Sequence, residues 1–598
     1  MISRHCRAPF AATIMALAIS TLSASAQAAS LPAVEAKNGM VVSSQHLASQ
    51  VGVDILKRGG NAVDAAVAVG YAQAVVNACC GNIGGGGFMT IHLADGKDTF
   101  INFREKAPAA ASADMYLDAD GNLKPGASLH GYLAVGVPGT VAGFDYAQRK
   151  YGKLTRAQVL APAIRLARDG YILNRGDTDI LDTTVAYFKK DPEAARIFLR
   201  KDGTPLQPGD RLVQKDLANT LEAIARKGPD AFYKGAIPAA VEKAARQGGG
   251  VITAADFAAY TATEMAPLEC NYRGYQFVSA PPPSSGGVTL CQILNILEGY
   301  DMKKLGYNSA ASVHYMTEAM RHAYKDRNTY LGDPDFIQNP VDHLLSKDYA
   351  AQIRSQILPD KATPSSAVQP VRQGEKPETT HYSVVDKDGN AVSTTYTVNG
   401  RFGAVVIAPG TGFFLNDEMD DFTTKIGAKN MYGLVQGASN AIAPGKRPLS
   451  SMAPTLVTKD GKVFLVTGSP GGSRIITITL QSALNIIDYG MEPQEAVDAP
   501  RIHHQWLPDM VYYERRGLSP DTLNILVGMG YTMKEQSTWG ATELIMMGLP
   551  NAAGVGAASA GNDAGVSGND AGVSGKVLPG YIYGANDGRR PAGSATGY

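Results

Sequence analysis

Thr379 and Thr380 open the stretch "TTHYSVVDKDGNAVSTTYTVN", whose two strand-like halves flank Lys387-Asp388-Gly389. A three-residue loop with Gly389 in the left-handed position beside a bulge closes such a hairpin. If the turn is symmetric about Asp388, Thr379 faces Thr397, and directly opposed residues hold their Cβ atoms about 4.5 to 5.5 Å apart. Asn399 follows two residues later, on the same face by strand periodicity. A hydroxyl with a hydroxyl and an amide for neighbours is a nucleophile's setting, provided that something removes its proton. No conventional base stands alongside. A cut before Thr379 supplies one, because a free α-amine, with a reference pKa of about 7.7 to 8.0, can serve the Oγ of its own residue. Threonine also favours strands simply because a branched side chain fits a pleated sheet, and a one-residue slip would turn Thr397 away. The hairpin alone therefore leaves both readings open.

The elements around it must deliver and hold that threonine. The preceding "LPDKATPSSAVQPVRQGEKPE" is rich in proline and poor in large apolar residues, which predicts an exposed segment that is easily cut. Downstream, "FFLNDEMDDF" places Glu418, Asp420 and Asp421 after an apolar run. "GKRPLSSMAPTLV" sets Ser450 and Ser451 before a strand, and "LVTGSPGGSRIITITLQSALNII" reads as strand, tight Gly471-Gly472 turn and long apolar helix. Upstream, Val51, Ile55 and Leu56 form a helical stripe that Gly59 and Gly60 stop, and Asn61 caps a second, almost wholly apolar helix. Gly84 to Gly87 then lead into a strand. No Lys-Ser/Thr follows them, and the order helix, glycines, strand reverses the dinucleotide fingerprint, so close backbone packing is the expectation and no cofactor is implied. Further helices are predicted at Thr155–Asp169, Val213–Ala225, Ile237–Gln247, Val288–Leu297 and Ala310–Tyr324.

Among 598 residues, Lys+Arg and Asp+Glu both number 55, so the chain has no general electrostatic field. Nucleic-acid and membrane-surface binders normally show a basic excess, and that class is disfavoured. Arg4 and Arg7 precede an apolar stretch from Ala8 to Leu22, and Ala26 and Ala28 offer an A-x-A cut, which predicts a signal peptide over residues 1–28 and a periplasmic or secreted protein. The apolar stretch falls short of the roughly 20 residues needed to span a bilayer. Cys79, Cys80, Cys270 and Cys291 lack zinc-site spacing. Cys270 with Cys291 as a disulfide and both as buried thiols stay open.

Taken together, "NFREKAP", "GNIGGGGF", "TTHYSVVDKDGNAVSTTYTVN", "LNDEMDDF", "KRPLSSMAPT" and "TGSPGGSR" resemble the motif set of the γ-glutamyltransferases, members of the N-terminal-nucleophile hydrolase superfamily. The resemblance covers the chain after the leader. It implies an α+β fold, a four-layer αββα sandwich, built jointly by two subunits of one self-cleaved precursor. Cleavage between Glu378 and Thr379 would give a large subunit, 29–378, and a small catalytic one, 379–598. By position, Thr379 is the nucleophile, Thr397 positions it, and Gly471 and Gly472 form the oxyanion hole. Arg104, with Ser450 and Ser451, takes the substrate's α-carboxylate, while Glu418, Asp421 and Asn399 hold its α-ammonium. Tyr432 in "KNMYGLVQGASN" belongs to a lid. Expected substrates are glutathione and other γ-glutamyl compounds, with amino acids, dipeptides or water as acceptors. No metal, organic cofactor, nucleic acid or membrane is implied.

Two other readings compete. A related acylase or amide hydrolase on the same scaffold, such as a cephalosporin acylase or a capsule depolymerase, is disfavoured by Arg104 with Glu418 and Asp421, which suit an amino-acid-like acyl group. A non-enzymatic periplasmic binding protein rests only on size, leader and mixed composition. One stretch departs from the family pattern: residues 551–576 hold a tandem "GNDAGVS" repeat of small polar residues that cannot build a core, which predicts an extended loop.

Overall fold

The computed structural model describes residues 30–365, 379–548 and 577–598. The predicted leader, Glu378 of the expected cleavage site and the repeat lie outside the described residues.

Two seven-stranded sheets face each other. One runs, edge to edge, Ser594–Gly597, Gly39–Ser43, Thr380–Asp386, Ala391–Thr397, Gly86–His92, Asp98–Phe103 and Thr263–Met265. The other runs Val34–Ala36, Ile582–Asn586, Glu543–Met547, Lys462–Thr467, Thr455–Lys459, Tyr275–Ser279 and Leu268–Tyr272. All pairings within both are antiparallel. In the first sheet the hairpin that follows Thr379 is inserted between strands from near the start of the chain, so residues on either side of the expected cut share one hydrogen-bonded ladder.

Side-chain periodicity puts one face of each sheet into the space between them, where Val42, Val385 and Ala391 meet Val278, Leu456, Val466 and Ile545. Polar ties cross the same layer: Ser383 Oγ donates to Glu543 O at 2.8 Å and Thr90 Oγ1 to Pro454 O at 2.8 Å. The outer faces are covered by helices. Ala62–Val76 is buried along its whole length against Tyr382, Val384, Val392 and Tyr396 of the first sheet. Gly286–Leu297, Ala310–Tyr330 and Ile475–Ile487 cover the second. The architecture is the expected αββα sandwich.

Local signals explain the helix that backs the hairpin. Asn61 Oδ1 accepts from Val63 N at 3.1 Å and Asp64 N at 3.0 Å, and Asp64 Oδ2 accepts from Asn61 N at 3.1 Å, a reciprocal cap. The glycine run behaves as close packing requires. A Cβ on Gly85 would lie 1.8 Å from the Thr397 carbonyl oxygen, and one on Gly84 2.0 Å from that of Phe414. The backbone of Thr397 can sit where it does only because Gly85 has no side chain.

Several helices outrun their predicted bounds, among them the one expected to end at Ala225, which runs to Lys227. The one expected from Val288 starts at Gly286, and the one expected to end at Tyr324 continues to Tyr330. Cys270 and Cys291 form a disulfide with Cα atoms 5.9 Å apart, tying a strand of the second sheet to its covering helix. Cys79 and Cys80 are joined as a vicinal disulfide. No helix among the described residues is long and apolar enough to cross a membrane.

Candidate active site

The hairpin register is the one its turn predicts. Thr380 pairs with Tyr396 and Val385 with Ala391, and Gly389 takes φ +93° in the loop. Thr379, just outside the ladder, therefore faces Thr397, and the two Oγ1 atoms lie 3.3 Å apart. Thr397 Oγ1 also accepts from the N–H of Asn399 at 2.8 Å. Asn399 reaches the site differently from the sequence expectation: the strand ends at Thr397, and Asn399 turns into the left-handed region at φ +73°. Its Nδ2 donates to Asp417 O at 2.9 Å, and its Oδ1 accepts from Tyr432 Oη at 2.5 Å.

One small pocket is lined by Arg104, Thr379, Thr397, Asn399, Glu418, Asp421, Tyr432, Ser450, Ser451 and Gly472, together with Met452 and Ile475. Among the residues singled out in the sequence, Gly471 is next to the lining rather than part of it, with φ +143°, and Gly472 has φ +56°, both in the region that favours glycine. Tyr432 also lines a larger cleft of about 460 Å³, with Ser128, Arg474 and Lys534 among its walls. It is common to the linings of both spaces.

The charges in the pocket are arranged as a buried cluster. Arg104 leaves its strand at Phe103 and is fully buried. Its Nη1 donates to Glu418 Oε1 and, at 3.5 Å, to Glu105 Oε2; Nη2 donates to Asp421 Oδ2 at 2.5 Å; Nε donates to Pro448 O at 3.2 Å. Burial pushes the Glu418 and Glu105 carboxyls up from the ordinary range, and Arg104 opposes the shift in both. Glu418 Oε2 is buried with no hydrogen-bond partner among the described residues. Glu418 is held at this depth by Asn416, whose Oδ1 accepts its N–H at 3.0 Å and whose Nδ2 donates to Gly84 O at 2.9 Å. The glycine run thus also carries the acidic segment.

Sequence reasoning missed Asp417 and Arg327 and gave Asp420 no role. Asp417 is buried and accepts from Gly400 N at 2.8 Å. Asp420 accepts from Ser128 Oγ at 2.7 Å, and burial pushes its carboxyl up to about 7. Arg327, near the end of the Ala310–Tyr330 helix, donates from Nη2 to Ser451 Oγ at 2.9 Å. A helix pattern followed three residues past Tyr324 would have reached it.

The pocket brings the Thr379 and Thr397 hydroxyls together with one guanidinium and the carboxylates of Glu418 and Asp421. The Gamma-glutamyltranspeptidase family profile matches residues 48–567. The chain belongs to the gamma-glutamyltranspeptidase family. It is 57% identical, over 98% of its length and 99% of the relative's, to the glutathione hydrolase proenzyme of Pseudomonas sp. (strain A14). Among solved structures, the gamma-glutamyltranspeptidase of Helicobacter pylori is 46% identical and aligns with a TM-score of 0.55, covering 57% of this chain and 97% of that one. The cephalosporin acylase of Bacillus halodurans aligns with a TM-score of 0.79 at 27% identity, covering 96% of this chain and 98% of that one. Membership of the gamma-glutamyltranspeptidase family makes this chain an enzyme of the N-terminal-nucleophile type.

Proposed function

We propose that the chain matures by cutting itself between Glu378 and Thr379, and that the product moves γ-glutamyl groups from glutathione and related amides to amino acids, dipeptides or water. The observation that carries the reading is the Thr379–Thr397 hydroxyl pair in one pocket with Arg104, Glu418 and Asp421. In the first event, Thr379 Oγ attacks the carbonyl carbon of Glu378, the acyl group passes from nitrogen to oxygen, and water hydrolyses the ester. This leaves a carboxylate on residue 378 and an amine on residue 379.

In turnover, that amine takes the proton of Thr379 Oγ as the oxygen attacks the γ-carbonyl. The N–H groups of Gly471 and Gly472 receive the developing oxyanion, worth about 3 to 4 kcal/mol per donor. The proton then goes to the departing amine. A γ-glutamyl ester on Thr379 remains, and water or an acceptor amine attacks it to regenerate the hydroxyl. An α-amino-acid head is a zwitterion, so its carboxylate matches Arg104 while its ammonium matches Asp421 and the unpartnered Glu418 Oε2. This match supports a γ-glutamyl group over the side chains an acylase takes. The leader and the paired subunits fit an exported heterodimer, acting in the periplasm or outside the cell.

Release of p-nitroaniline from γ-glutamyl-p-nitroanilide, faster when glycylglycine is added, tests the reading. No release from processed protein would remove it.

A further inference from the structure

Arg104 and Arg327 are both buried beside the same pocket, yet their company differs. Arg104 meets three carboxylates. Arg327, 1% exposed, meets none among the described residues: Nε donates to Ser285 Oγ at 2.9 Å, Nη1 to Asn328 Oδ1 at 2.8 Å and Gln436 Oε1 at 3.1 Å, and Nη2 to Ser451 Oγ at 2.9 Å. Burial pushes its guanidinium down to about 10, still charged at neutral pH. Asp421 acts on it only from beyond ion-pair distance, and a buried cation whose direct partners are all neutral dipoles is costly unless an anion comes to it.

The hydrogen-bond directions show where that anion would sit. Guanidinium only donates, so Ser451 Oγ must accept from it, which leaves the Ser451 hydroxyl proton for another acceptor. Ser450 Oγ accepts from Met452 N at 3.0 Å, and its proton is left over in the same way. Ser285 takes the Arg327 Nε–H and passes its own proton to Ser450 O at 2.6 Å. A single guanidinium thus fixes Ser451 through its side chain and Ser450 through its backbone.

We propose that Arg327 is a positioning residue for acyl donors bearing an α-carboxylate: it sets both serine hydroxyls as donors toward one anion in the pocket and places behind them a positive charge that has no direct ion-pair partner among the described residues. The proposal rests on the γ-glutamyl reading of the pocket and adds the group that makes the carboxylate obligatory.

The test compares γ-glutamyl-p-nitroanilide with 4-aminobutanoyl-p-nitroanilide, the same acyl chain with hydrogen in place of the α-carboxylate. In Arg327→Met, kcat/KM for the first substrate is expected to fall about 10- to 100-fold, mainly through KM, while the second falls far less. Arg327→Gln, which keeps an N–H for Ser451 but no charge, is expected to lose part of the same discrimination. Equal losses on both substrates in either processed variant would overturn the proposal, as would failure of both variants to mature. Wild-type protein inactive on the γ-glutamyl anilide would instead fault the reading of the pocket itself.

Discussion

Thr379 Oγ1 lies 3.3 Å from Thr397 Oγ1 across the open end of a hairpin whose turn sets the pairing. With one lone pair of Thr397 taken by the Asn399 N–H, Thr397 is oriented to share its proton with Thr379. Thr397→Val keeps the shape and removes the hydroxyl, leaving that buried N–H without its partner. The variant is expected to mature more slowly and to lose about 100-fold in kcat, a few kcal/mol of barrier, while Thr397→Ser keeps most of both. Precursor disappearance on denaturing gels and steady-state kinetics read the two effects.

Arg104 is the countercharge for Glu418 and Asp421. Arg104→Gln strands buried carboxylates, a change that costs about 3 to 5 kcal/mol where one member of a buried pair is lost. Lower thermal stability is expected together with a rise in KM of at least tenfold for the γ-glutamyl anilide. A variant with unchanged KM would show that the guanidinium has no part in binding.

His504 gives a pH signature. Its Nε2 approaches Asp509 Oδ1 at 3.2 Å and its Nδ1 accepts from Trp506 N at 3.2 Å, and burial holds its pKa down at about 4. The unfolded value is about 6.5, so between the two the unfolded chain binds the extra proton. The contribution is therefore fully present above about pH 6.5 and is lost as pH falls toward 4, by about 1.4 kcal/mol per pH unit. The stability gap between wild type and His504→Gln should shrink by that slope in denaturant titrations from pH 6.5 to 4.5. A gap independent of pH would contradict it.

The Cys270–Cys291 bridge closes a separation of 21 residues. Chain entropy assigns such a loop about 3 kcal/mol, so the double Ser variant should unfold at lower temperature, with kcat little changed because neither residue lines the pocket.

How much of this was legible in the sequence depended on the range of the signal. The Thr379–Thr397 pairing follows from a three-residue turn, and the Asn61 cap and glycine run are equally local. The motif set carried the fold and most of the pocket lining. Burial of the acidic segment was not legible locally, because Glu418, Asp420 and Asp421 read alone as a solvated cluster and are held at depth by partners remote in sequence: Arg104, Ser128 and, through Asn416, Gly84. Arg327 was lost for a related reason. The end of its helix, "YKDRNTY", has the polar character of an exposed last turn, and its partners Ser285, Gln436 and Ser451 come from three remote segments. Asn399 was placed on the right face by a periodicity that does not hold there, since its positive φ, not the strand, brings it to the pocket.

The central claim is that Thr379 becomes a chain terminus whose amine serves its own hydroxyl. N-terminal sequencing of the smaller band from purified, active protein tests it most directly. The expected result is Thr-Thr-His-Tyr-Ser, with Thr379→Ala remaining one uncut and inactive chain. Active protein with an unbroken backbone through residues 378 and 379, or a Thr379→Ala variant that still splits at that bond, would contradict it.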